Sequence, residues 1–518
     1  MKKIRSILIL GIALASGLVV RAQLSTAQVD SLVENALQKF KVAGVAVAIV
    51  KDGKVIHEKG YGVKSIATNA PVDAFTNFQI ASNSKAFTTA ALSILIDEGK
   101  ISWKDKVKKH IPEFKMYNDY VTENFMIEDL LCHRSGLGLG VGDLMGFPDG
   151  GDYSIKDILN AFQYFKPTSA FRTQFDYDNL LYWVAGELIS RVSGMSWEKF
   201  VTSRILQPLQ MNHSFTSLSE IKDRSNVAMP HSTLTPDGKM KSISLFQESI
   251  NGAAGGILSN VDDMSKWMIL QLNKGKYGDK RLFKETRQRE MWQLYTVMPV
   301  GGPGRYNSHF SGYGLGWFLQ DMKGNLNVSH TGGLPGMLSK VTLIPDLNLG
   351  IVILTNTENG GGVLFSAVNN SIVDSYLGLD RMDWTSLYLS RLSAGEKEAD
   401  SVTRKVWQSV AAAKNTPVDP AAYTGVYEDN WFGKIEIFQK GGQLWFKSYR
   451  SPKLNGPMSF YKGNTFAIRW EYQDMPCDAF ASFTLDEEGK AQGIKMKAIS
   501  PDTDFSFDFH DLDLQRVK

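Results

Sequence analysis

The chain has few cysteines and histidines, no excess of one charge and no Gly-x-Ser-x-Gly motif. Its 518 residues include two cysteines and eight histidines, and the formal net charge is +3. Two cysteines cannot form a thiolate metal site, and the scattered histidines include no His-Glu-x-x-His motif, so we expect no metal site and no other cofactor. Basic residues are interspersed with acidic ones, which gives nucleic-acid binding no support. The missing Gly-x-Ser-x-Gly motif disfavours an α/β-hydrolase.

The two cysteines, Cys132 and Cys477, lie far apart in the sequence. An oxidising compartment would permit one disulfide between them. Because they fall in different predicted domains, we predict instead two unpaired, mostly buried thiols.

The N-terminus carries the pattern of a secretory signal peptide over residues 1–22. Three basic residues among the first five precede an apolar run at 7–20, and Val20-Arg21-Ala22 fits a cleavage site before Gln23. The alternative, a membrane anchor, needs roughly 20 apolar residues, whereas this run has about 14. No later segment is long enough to span a membrane, so we expect a periplasmic or extracellular protein without stable membrane insertion.

The region at 23–378 has the mixed helix and strand patterns of an α+β fold. Apolar residues at helical spacing over 29–40 predict an amphipathic helix, and two strands follow around the turn signal Asp52-Gly53. These two strands cover 45–50 and 54–61. Much later in the chain, strands are predicted at 315–319, 325–329, 338–344 and 349–356 and helices at 180–192 and 365–376. Strands at both ends with helices between them predict one antiparallel sheet built from distant pieces, with flanking helices and an all-helical region.

The C-terminal part differs in composition. A charged stretch at 379–416 with a helical pattern is interpreted as a connector. Short alternating strands separated by glycine turns follow, and they predict a small antiparallel sandwich or barrel over 417–518. The predicted strands are 433–438, 443–449, 465–470, 481–485, 493–499 and 505–514.

Ser-x-x-Lys is a pattern that can pair a nucleophile with a base, and it occurs four times in the chain. A serine hydroxyl is a weak nucleophile at neutral pH and needs a base held against it. A lysine three residues later on a helix lies on the same side, and burial lowers the pKa of such a lysine so that it can take the proton. Only Ser82-Asn83-Ser84-Lys85 opens a helix that is apolar nearly all round, whereas Ser196, Ser219 and Ser459 begin amphipathic, polar or strand-rich segments.

Two further motifs occur once each. In Tyr177-Asp178-Asn179, a tyrosine beside a buried cation can have a lowered pKa and relay a proton, and the asparagine amide can hold both a lysine and a substrate carbonyl. The alternative interpretation is a helix start capped by Asp178 or Asn179. In His330-Thr331-Gly332, glycine allows a ligand to approach a strand edge closely. The alternative interpretation of this second motif is a glycine turn with a histidine that has no chemical role.

The three motifs occur in this order, with about 95 and then about 150 residues between them. In this arrangement the chain resembles the serine β-lactamase and penicillin-recognising hydrolase superfamily, and within it the branch of class C β-lactamases, DD-peptidases, D-aminopeptidases and related esterases. The resemblance covers roughly residues 25–375 and implies a β-lactamase-like fold. The later strands resemble the lipocalin-like domain often appended to such hydrolases, although by a weaker match. The supporting segments are 78–81, 130–137, 254–259 and 330–336 in the first region and 423–427 and 505–509 in the second.

The resemblance implies a catalytic role for three residues. Ser82 would attack a carbonyl and become acylated. Lys85 and Tyr177 would share the work of the base, and Tyr177 would return the proton to the leaving group.

The resemblance also implies substrate-binding residues. Asn179 would hold the lysine and the substrate amide. The N–H groups of the nucleophile and of Gly333 would form an oxyanion hole, with Gly332 beside it. His330 and Thr331 would line the substrate side.

The chain departs from the family pattern at two motif positions. His330 stands where dedicated β-lactamases usually carry lysine, so we expect a group that titrates near neutral pH in place of a permanent charge. Asp178 stands where serine is common. The first departure favours a peptidase, amidase or esterase over a β-lactamase.

Three hypotheses follow for the whole protein. The first is a secreted serine hydrolase that acts through an acyl-enzyme on a small peptide, amide or ester, with β-lactams as an alternative substrate. The second is a non-catalytic ligand-binding or sensor protein. In the third, the C-terminal domain has an architectural role, in covering the cleft or mediating assembly. Substrate choice is expected to depend on the glycine- and aromatic-rich loops at 136–175.

Overall fold

The computed structural model describes residues 23–517 apart from 234, 236, 237, 248 and 249. The predicted signal peptide lies outside the described residues, so its cleavage stays a prediction. The helices of the described part are α1 Thr26–Lys39, α2 Ser84–Asp97, α3 Val107–His110, α4 Asp119–Asn124, α5 Ile155–Ala161, α6 Leu180–Ser193, α7 Trp197–Val201, α8 Val261–Leu272, α9 Glu285–Met291, α10 Glu358–Tyr376 and α11 Trp384–Ala412.

The strands form one large sheet, one barrel and three small two-stranded pairs. In chain order they are β1 Gly44–Lys51, β2 Lys54–Gly62, β3 Phe78–Gln79, β4 His231–Ser232, β5 Lys241–Ser242, β6 Leu258–Ser259, β7 Lys276–Tyr277, β8 Lys280–Arg281, β9 Thr296–Met298, β10 Ser311–Tyr313, β11 Phe318–Met322, β12 Asn325–Leu334, β13 Met337–Ile344, β14 Leu349–Thr355, β15 Gly425–Asp429, β16 Gly433–Lys440, β17 Gln443–Ser448, β18 Asn455–Lys462, β19 Thr465–Ile468, β20 Ala479–Leu485, β21 Ala491–Ala498 and β22 Leu514–Arg516.

The large sheet has eight antiparallel strands in the order β2-β1-β14-β13-β12-β11-β10-β9. Asp52 and Gly53 have φ angles of 52° and 74°, the left-handed conformation that joins β1 and β2 in a tight hairpin. The second strand partner of β1 is β14, with Val45 opposite Thr355. This pairing confirms the prediction of an α+β fold whose sheet is built from distant pieces of the chain.

The side chains of β1 alternate between two buried faces, as the two-residue period of a strand requires. Val45 and Val47 pack in the cluster that includes α1 and α10. Ala46 and Ala48 face the larger cluster that includes α2 and α8. Helices therefore cover both faces of the sheet, and the face toward α2 carries the candidate site.

One strand predicted in this region is displaced. The pattern at 315–319 predicts a strand, whereas the structure has a turn between β10 and β11. Gly316 has a φ of 82° there, which breaks the extended conformation. The aromatic residues that suggested a strand are Trp317, buried in this turn, and Phe318, the first residue of β11.

The C-terminal strands β15 to β22 form a closed antiparallel barrel, as predicted, and α11 occupies most of the predicted connector. The prediction of a strand over 505–514 is wrong. Residues 504–508, which we call the barrel loop, turn back on themselves because the N–H of Ser506 donates to Asp504 Oδ1 at 2.9 Å and the N–H of Phe507 donates to the Asp504 carbonyl at 3.0 Å. Only 514–516 pair as a strand.

The barrel loop is fastened to the first region through buried hydrogen bonds. The Asp508 carboxylate accepts from the N–H groups of Gly142 and Leu144 at 2.7 and 2.8 Å. The Ser506 hydroxyl donates to Asp143 Oδ2 at 2.9 Å. The loop therefore fixes the beginning of the short 3-10 turn Asp143–Met145 through both backbone and side-chain contacts.

Two other sequence predictions concern cysteine and the membrane. Cys132 and Cys477 are both unpaired and buried, as predicted. Among the described residues, no helix combines the length and the apolar character needed to cross a bilayer.

Replacing Asp508 by alanine should destabilise the protein, because two buried N–H groups would lose their acceptor. We expect a loss of about 2–3 kcal/mol, measured as a lower urea midpoint. Asp508→Asn retains one acceptor oxygen and should lower the urea midpoint less than Asp508→Ala does. Asp502→Ala removes an exposed carboxylate close by and serves as the control. Equal midpoints for Asp508→Ala and the wild type would contradict this account of the loop.

Candidate active site

Ser82 lies in a strained turn between a short strand and a buried helix. Strand β3 leads into the 3-10 turn Ala81–Asn83, and α2 begins at Ser84. Ala81 has a φ of 49°, which is unfavourable for a residue with a side chain and is typical of functional sites. Ser82 is partly exposed on this turn, whereas Lys85 on the first turn of α2 is fully buried.

The Lys85 amine is the point at which the site residues meet. Its Nζ atom lies 3.0 Å from Ser82 Oγ, 2.7 Å from Asn179 Oδ1 and 2.9 Å from the carbonyl oxygen of Ala254. The protonated amine can donate to all three oxygens. After it loses a proton it can still donate to Asn179 and Ala254, and its lone pair can then face the serine hydroxyl. The distance to Ser82 is short enough for direct proton transfer.

The segment 254–259 fixes the turn that carries Ser82. Strand β6 pairs with β3, with Leu258 opposite Gln79, and the Ile257 carbonyl accepts from the N–H of Ile80 at 2.9 Å. The Ser84 hydroxyl accepts from the N–H of Ile257 at 3.1 Å. This segment, which the sequence indicated only as a supporting match, thus positions both the nucleophile and the Ala254 carbonyl.

Tyr177 lies against the same amine. Its ring centroid is 4.9 Å from Lys85 Nζ. Burial raises the pKa of Tyr177, and the neighbouring Ser82 side chain opposes the rise only in part. The expected lowering of the pKa by a neighbouring cation is therefore not found, because desolvation dominates. At neutral pH Tyr177 is a phenol, suited to donating a proton rather than accepting one.

Asn179 occupies the N-cap position of α6, but its side chain makes no capping bond. The capping acceptor is Asp178, whose Oδ1 accepts from the N–H of Leu181 at 3.3 Å. Asn179 Oδ1 accepts from Lys85, while its Nδ2 donates to Asp143 at 2.8 Å. Asp178 thus caps the helix, as the alternative interpretation predicted, while Asn179 holds Lys85, as the chemical interpretation predicted. One amide hydrogen is committed to Asp143 and is not free for substrate.

Asp143 is a site residue that sequence reasoning missed. It is fully buried, and its Oδ2 accepts from Asn179 Nδ2 and from the hydroxyl of Ser506. Burial raises the pKa of Asp143 to about 7, against the opposing effect of these two bonds. A continuous chain of hydrogen bonds therefore runs from Lys85 through Asn179 and Asp143 to the barrel loop. In the sequence, Asp143 follows a glycine-rich stretch and belongs to no motif that indicates a catalytic role.

His330 does not behave as the sequence suggested. Burial and the nearby Lys85 charge lower the pKa of His330 to about 3. Its Nε2 atom lies 2.7 Å from the hydroxyl of Tyr313, and its Nδ1 atom lies 2.5 Å from the Thr331 carbonyl oxygen. The expectation of a group that titrates near neutral pH is wrong, because desolvation favours the neutral imidazole.

The three residues after His330 have different surroundings. Thr331 and Gly333 are exposed on β12 and line the cavity beside Ser82. Gly332 faces away from the cavity, and a Cβ atom on this residue would lie 2.2 Å from the Ile80 carbonyl oxygen. Gly332 thus lets β12 pack against the turn that holds the nucleophile, and it makes no contribution to the cavity wall.

His133 lies behind the tyrosine. Its ring centroid is 4.2 Å from that of Tyr177, and its Nδ1 accepts from the N–H of Asp178 at 3.1 Å. Burial lowers the pKa of His133, so it is neutral. A buried, neutral imidazole in contact with Tyr177 and with the backbone of Asp178 has a structural role.

A cavity of about 440 Å³ opens beside Ser82. Its walls are largely apolar and include seven phenylalanine, tyrosine and tryptophan side chains, which is usual for small-molecule sites. Two elements of the C-terminal part contribute to it, Met475 and the barrel loop through Asp504, Phe505, Ser506 and Phe507. From the first region the lining residues include Leu139, Phe147, Phe175, Tyr177, Asn179, Trp183, Phe318, His330, Thr331, Gly333 and Glu358.

Within the described part of the chain, no group of three or more histidine, cysteine, aspartate or glutamate side chains could hold a metal ion. The chemistry that this arrangement offers is that of its own side chains. A hydroxyl held against a buried amine and open to a cavity is suited to nucleophilic acyl transfer.

The chain belongs to the β-lactamase family. The family model described as Beta-lactamase matches residues 29–367, and a second model, described as a domain of unknown function (DUF3471), matches residues 411–516. The first match covers more than half of the chain and contains all the motif residues. The protein is therefore a serine hydrolase of this superfamily.

Several known proteins are similar to this chain. The unguisins hydrolase ungD' of Aspergillus campestris is 28% identical over 77% of this chain and 74% of its own length. Protein flp of Staphylococcus aureus is 29% identical over 65% of this chain and 64% of its own.

Solved structures show the same fold. The octameric penicillin-binding protein homologue from Pyrococcus abyssi has a TM-score of 0.61 at 22% identity and covers 93% of this chain and 99% of its own. The penicillin binding protein from Bacillus halodurans has a TM-score of 0.55 at 21% identity, over 65% of this chain and 99% of its own.

Replacing Asp143 by alanine should lower kcat more than it raises KM, because Asn179 would lose the partner that orients it toward Lys85. We expect a fall of about one to two orders of magnitude in kcat, measured with a p-nitrophenyl ester. Ser506→Ala should act in the same direction with a smaller effect. Asp152→Ala removes a nearby acid that bonds to the barrel but not to Asn179, and it serves as the control. An unchanged kcat in Asp143→Ala would contradict the proposed orientation.

His330→Gln should leave the pH dependence of kcat/KM unchanged between pH 5 and 8. With a pKa of about 3, His330 has already lost its proton below this window and stays neutral throughout it. A pH–rate profile of the wild type and the variant with the same ester measures this directly. A shift in the midpoint of the acidic limb would show that His330 does titrate there.

Proposed function

We propose that the protein hydrolyses amide or ester bonds through an acyl-enzyme formed on Ser82. The observation that carries the proposal is the 3.0 Å approach of the buried Lys85 Nζ to Ser82 Oγ, on a turn that faces a cavity. The signal pattern at the N-terminus supports export to the periplasm or the exterior.

In the acylation step, Lys85 takes the hydroxyl proton while Ser82 Oγ forms a bond to the substrate carbonyl carbon. The negative charge that develops on the carbonyl oxygen would be held by the N–H groups of Ser82 and Gly333, which line the cavity together. Asn179 and the Ala254 carbonyl retain the lysine in place as its charge changes.

Collapse of the tetrahedral intermediate breaks the bond to the leaving group. Tyr177, a phenol that lies against Lys85, donates its proton to the departing nitrogen or oxygen and recovers one from the Lys85 ammonium. Water then attacks the acyl-enzyme with the same residues acting in reverse. The products are the free acid and the regenerated serine.

The neutral state of His330 favours a peptidase, amidase or esterase over a β-lactamase. A lysine at this position could meet the carboxylate of a β-lactam, whereas an imidazole with a pKa of about 3 offers no charge at neutral pH.

Intact-mass analysis after treatment with a fluorophosphonate probe tests the proposal. We expect one adduct per chain in the wild type, none in Ser82→Ala, and a fall of about 10²–10⁴ in ester turnover in Tyr177→Phe. Ser196→Ala, at another Ser-x-x-Lys pattern, is the matched control and should label fully. An unlabelled wild type with no ester or amide turnover would favour the non-catalytic binding role instead.

A further inference from the structure

The amine of Lys85 is enclosed by aromatic rings as well as by oxygen atoms. Its Nζ atom lies 4.9 Å from the ring centroid of Tyr177 and 5.2 Å from the ring centroid of Tyr182. Both distances are within the range of about 6 Å over which the negative face of an aromatic ring attracts an ammonium group. The proposed mechanism gives the first tyrosine a task in proton transfer, and it leaves the second without one.

The helix that carries Tyr182 explains its position beside the amine. Asn179 is the N-cap residue of α6, and Tyr182 comes three residues later, so both side chains lie on the same side of the first helical turn. Asn179 Oδ1 lies 2.7 Å from Lys85 Nζ, and the ring of Tyr182 lies against the same atom. One turn of helix therefore supplies the amine with a hydrogen-bond acceptor and with an aromatic face.

Tyr182 cannot take part in the reaction through its hydroxyl. The residue is fully buried and is absent from the described lining of the cavity. Its hydroxyl donates to the Leu131 carbonyl oxygen at 2.6 Å, which commits the proton to the backbone and fixes the ring. Burial holds the pKa of this hydroxyl well above its ordinary value, so it stays a phenol at neutral pH. What Tyr182 offers to the site is therefore the face of its ring.

A ring face matters for this amine because the amine changes its charge. In the acylation step Lys85 takes the proton of Ser82 and becomes an ammonium group that is fully buried. Asn179 Oδ1 and the Ala254 carbonyl oxygen accept hydrogen bonds from it, but neither carries a charge. A buried cation is very unfavourable without compensation, and an aromatic face attracts a cation most strongly where water is excluded. The ring thus favours the ammonium form over the neutral amine.

We propose that Tyr182 is a positioning residue whose ring face stabilises the ammonium form of Lys85, and that it thereby sets the pH above which Ser82 is acylated. This inference rests on the proposed function. Because the ring raises the proton affinity of the amine, Lys85 is a stronger base but becomes available only at a higher pH. Removal of the ring should extend acylation to lower pH and should weaken the base.

Other titratable side chains surround the pair formed by the amine and the ring. They are His133, Asp143, Tyr177, Tyr313 and His330. Burial lowers the pKa of both histidines and raises the pKa of both tyrosines, so these four side chains are neutral around pH 7. Burial raises the pKa of Asp143 to about 7, so this carboxyl titrates in the same range as the reaction. An experiment on Tyr182 has to separate its effect from that of Asp143.

The test measures the rate constant of fluorophosphonate labelling of Ser82 between about pH 5 and 10, the range in which such a base titrates. In Tyr182→Leu, the midpoint of the acidic limb should fall by about half to one pH unit, the size of one cation–π interaction. The limiting rate at high pH should fall about two- to threefold, because the base is weaker. Tyr182→Phe keeps the ring and loses the bond to Leu131, so it should be less stable and keep the wild-type midpoint.

A graded series separates the charge distribution of the ring from its size. Mono-, di- and trifluorinated phenylalanine in place of Tyr182 withdraw electron density from the ring face and nearly preserve its shape. The midpoint should fall stepwise along the series, starting from that of Tyr182→Phe, by about half a pH unit in total. A ring that acts only by filling space predicts no such trend. The series also decides the question if Tyr182→Leu does not fold.

Two controls assign the shift to the ring beside Lys85. Tyr61→Leu removes another buried tyrosine whose ring lies 4.9 Å from a lysine amine, that of Lys59, on the face of the sheet that packs against α1 and α10. This variant should keep the wild-type midpoint. In an Asp143→Asn background, Tyr182→Leu should still lower the midpoint by the same amount, because the ring acts on the amine directly.

The outcomes distinguish the inference from the proposed function. An unchanged or raised midpoint in Tyr182→Leu, a fluorinated series without a trend, an equal shift in Tyr61→Leu, or loss of the shift in the Asp143→Asn background would overturn the inference alone. Absence of labelling in the wild type, with no turnover of esters or amides, would overturn the proposed function itself.

Discussion

The buried amine of Lys85 is the constraint on which the site depends. An amine without partners is very unfavourable in a protein interior. Helix α2, the start of α6 and the segment before β6 must therefore converge so that Ser82, Asn179 and the Ala254 carbonyl reach one nitrogen atom. The strained Ala81 and the close packing of Gly332 are local consequences, since both bring the nucleophile turn against β12, the strand that contains His330.

The C-terminal barrel contributes residues to the hydrogen-bond network around Lys85. Asp143 joins the two regions, because one of its carboxylate oxygens accepts from Asn179 and from Ser506. The carboxylate of Asp508 fixes the turn that carries Asp143. Both the shape of the cavity and the orientation of the residues around Lys85 therefore depend on contacts between parts of the chain that are more than 300 residues apart.

Much of the structure could be predicted from the sequence. Hydrophobic periodicity indicated the fold class, the sheet built from distant pieces and the barrel. The ordered motifs indicated that Ser82, Lys85, Tyr177 and Asn179 meet. It did not reveal Asp143, whose role arises from long-range contacts. It misled at 505–509, where alternating phenylalanines resemble a strand while the intervening Ser506 and Asp508 bond to another region. It also misled at His330, because the degree of desolvation is a property of the assembled interior.

The position of the barrel loop in the chain has a consequence for the timing of maturation. The other residues that line the cavity precede residue 504 in the sequence, so the last wall is added when all the rest have already been synthesised. A nascent chain can bring the serine and the lysine together earlier, but it does so in an open groove with an unfastened Asp143 turn. Substrate selection by the complete cavity thus begins only once the barrel has folded and docked.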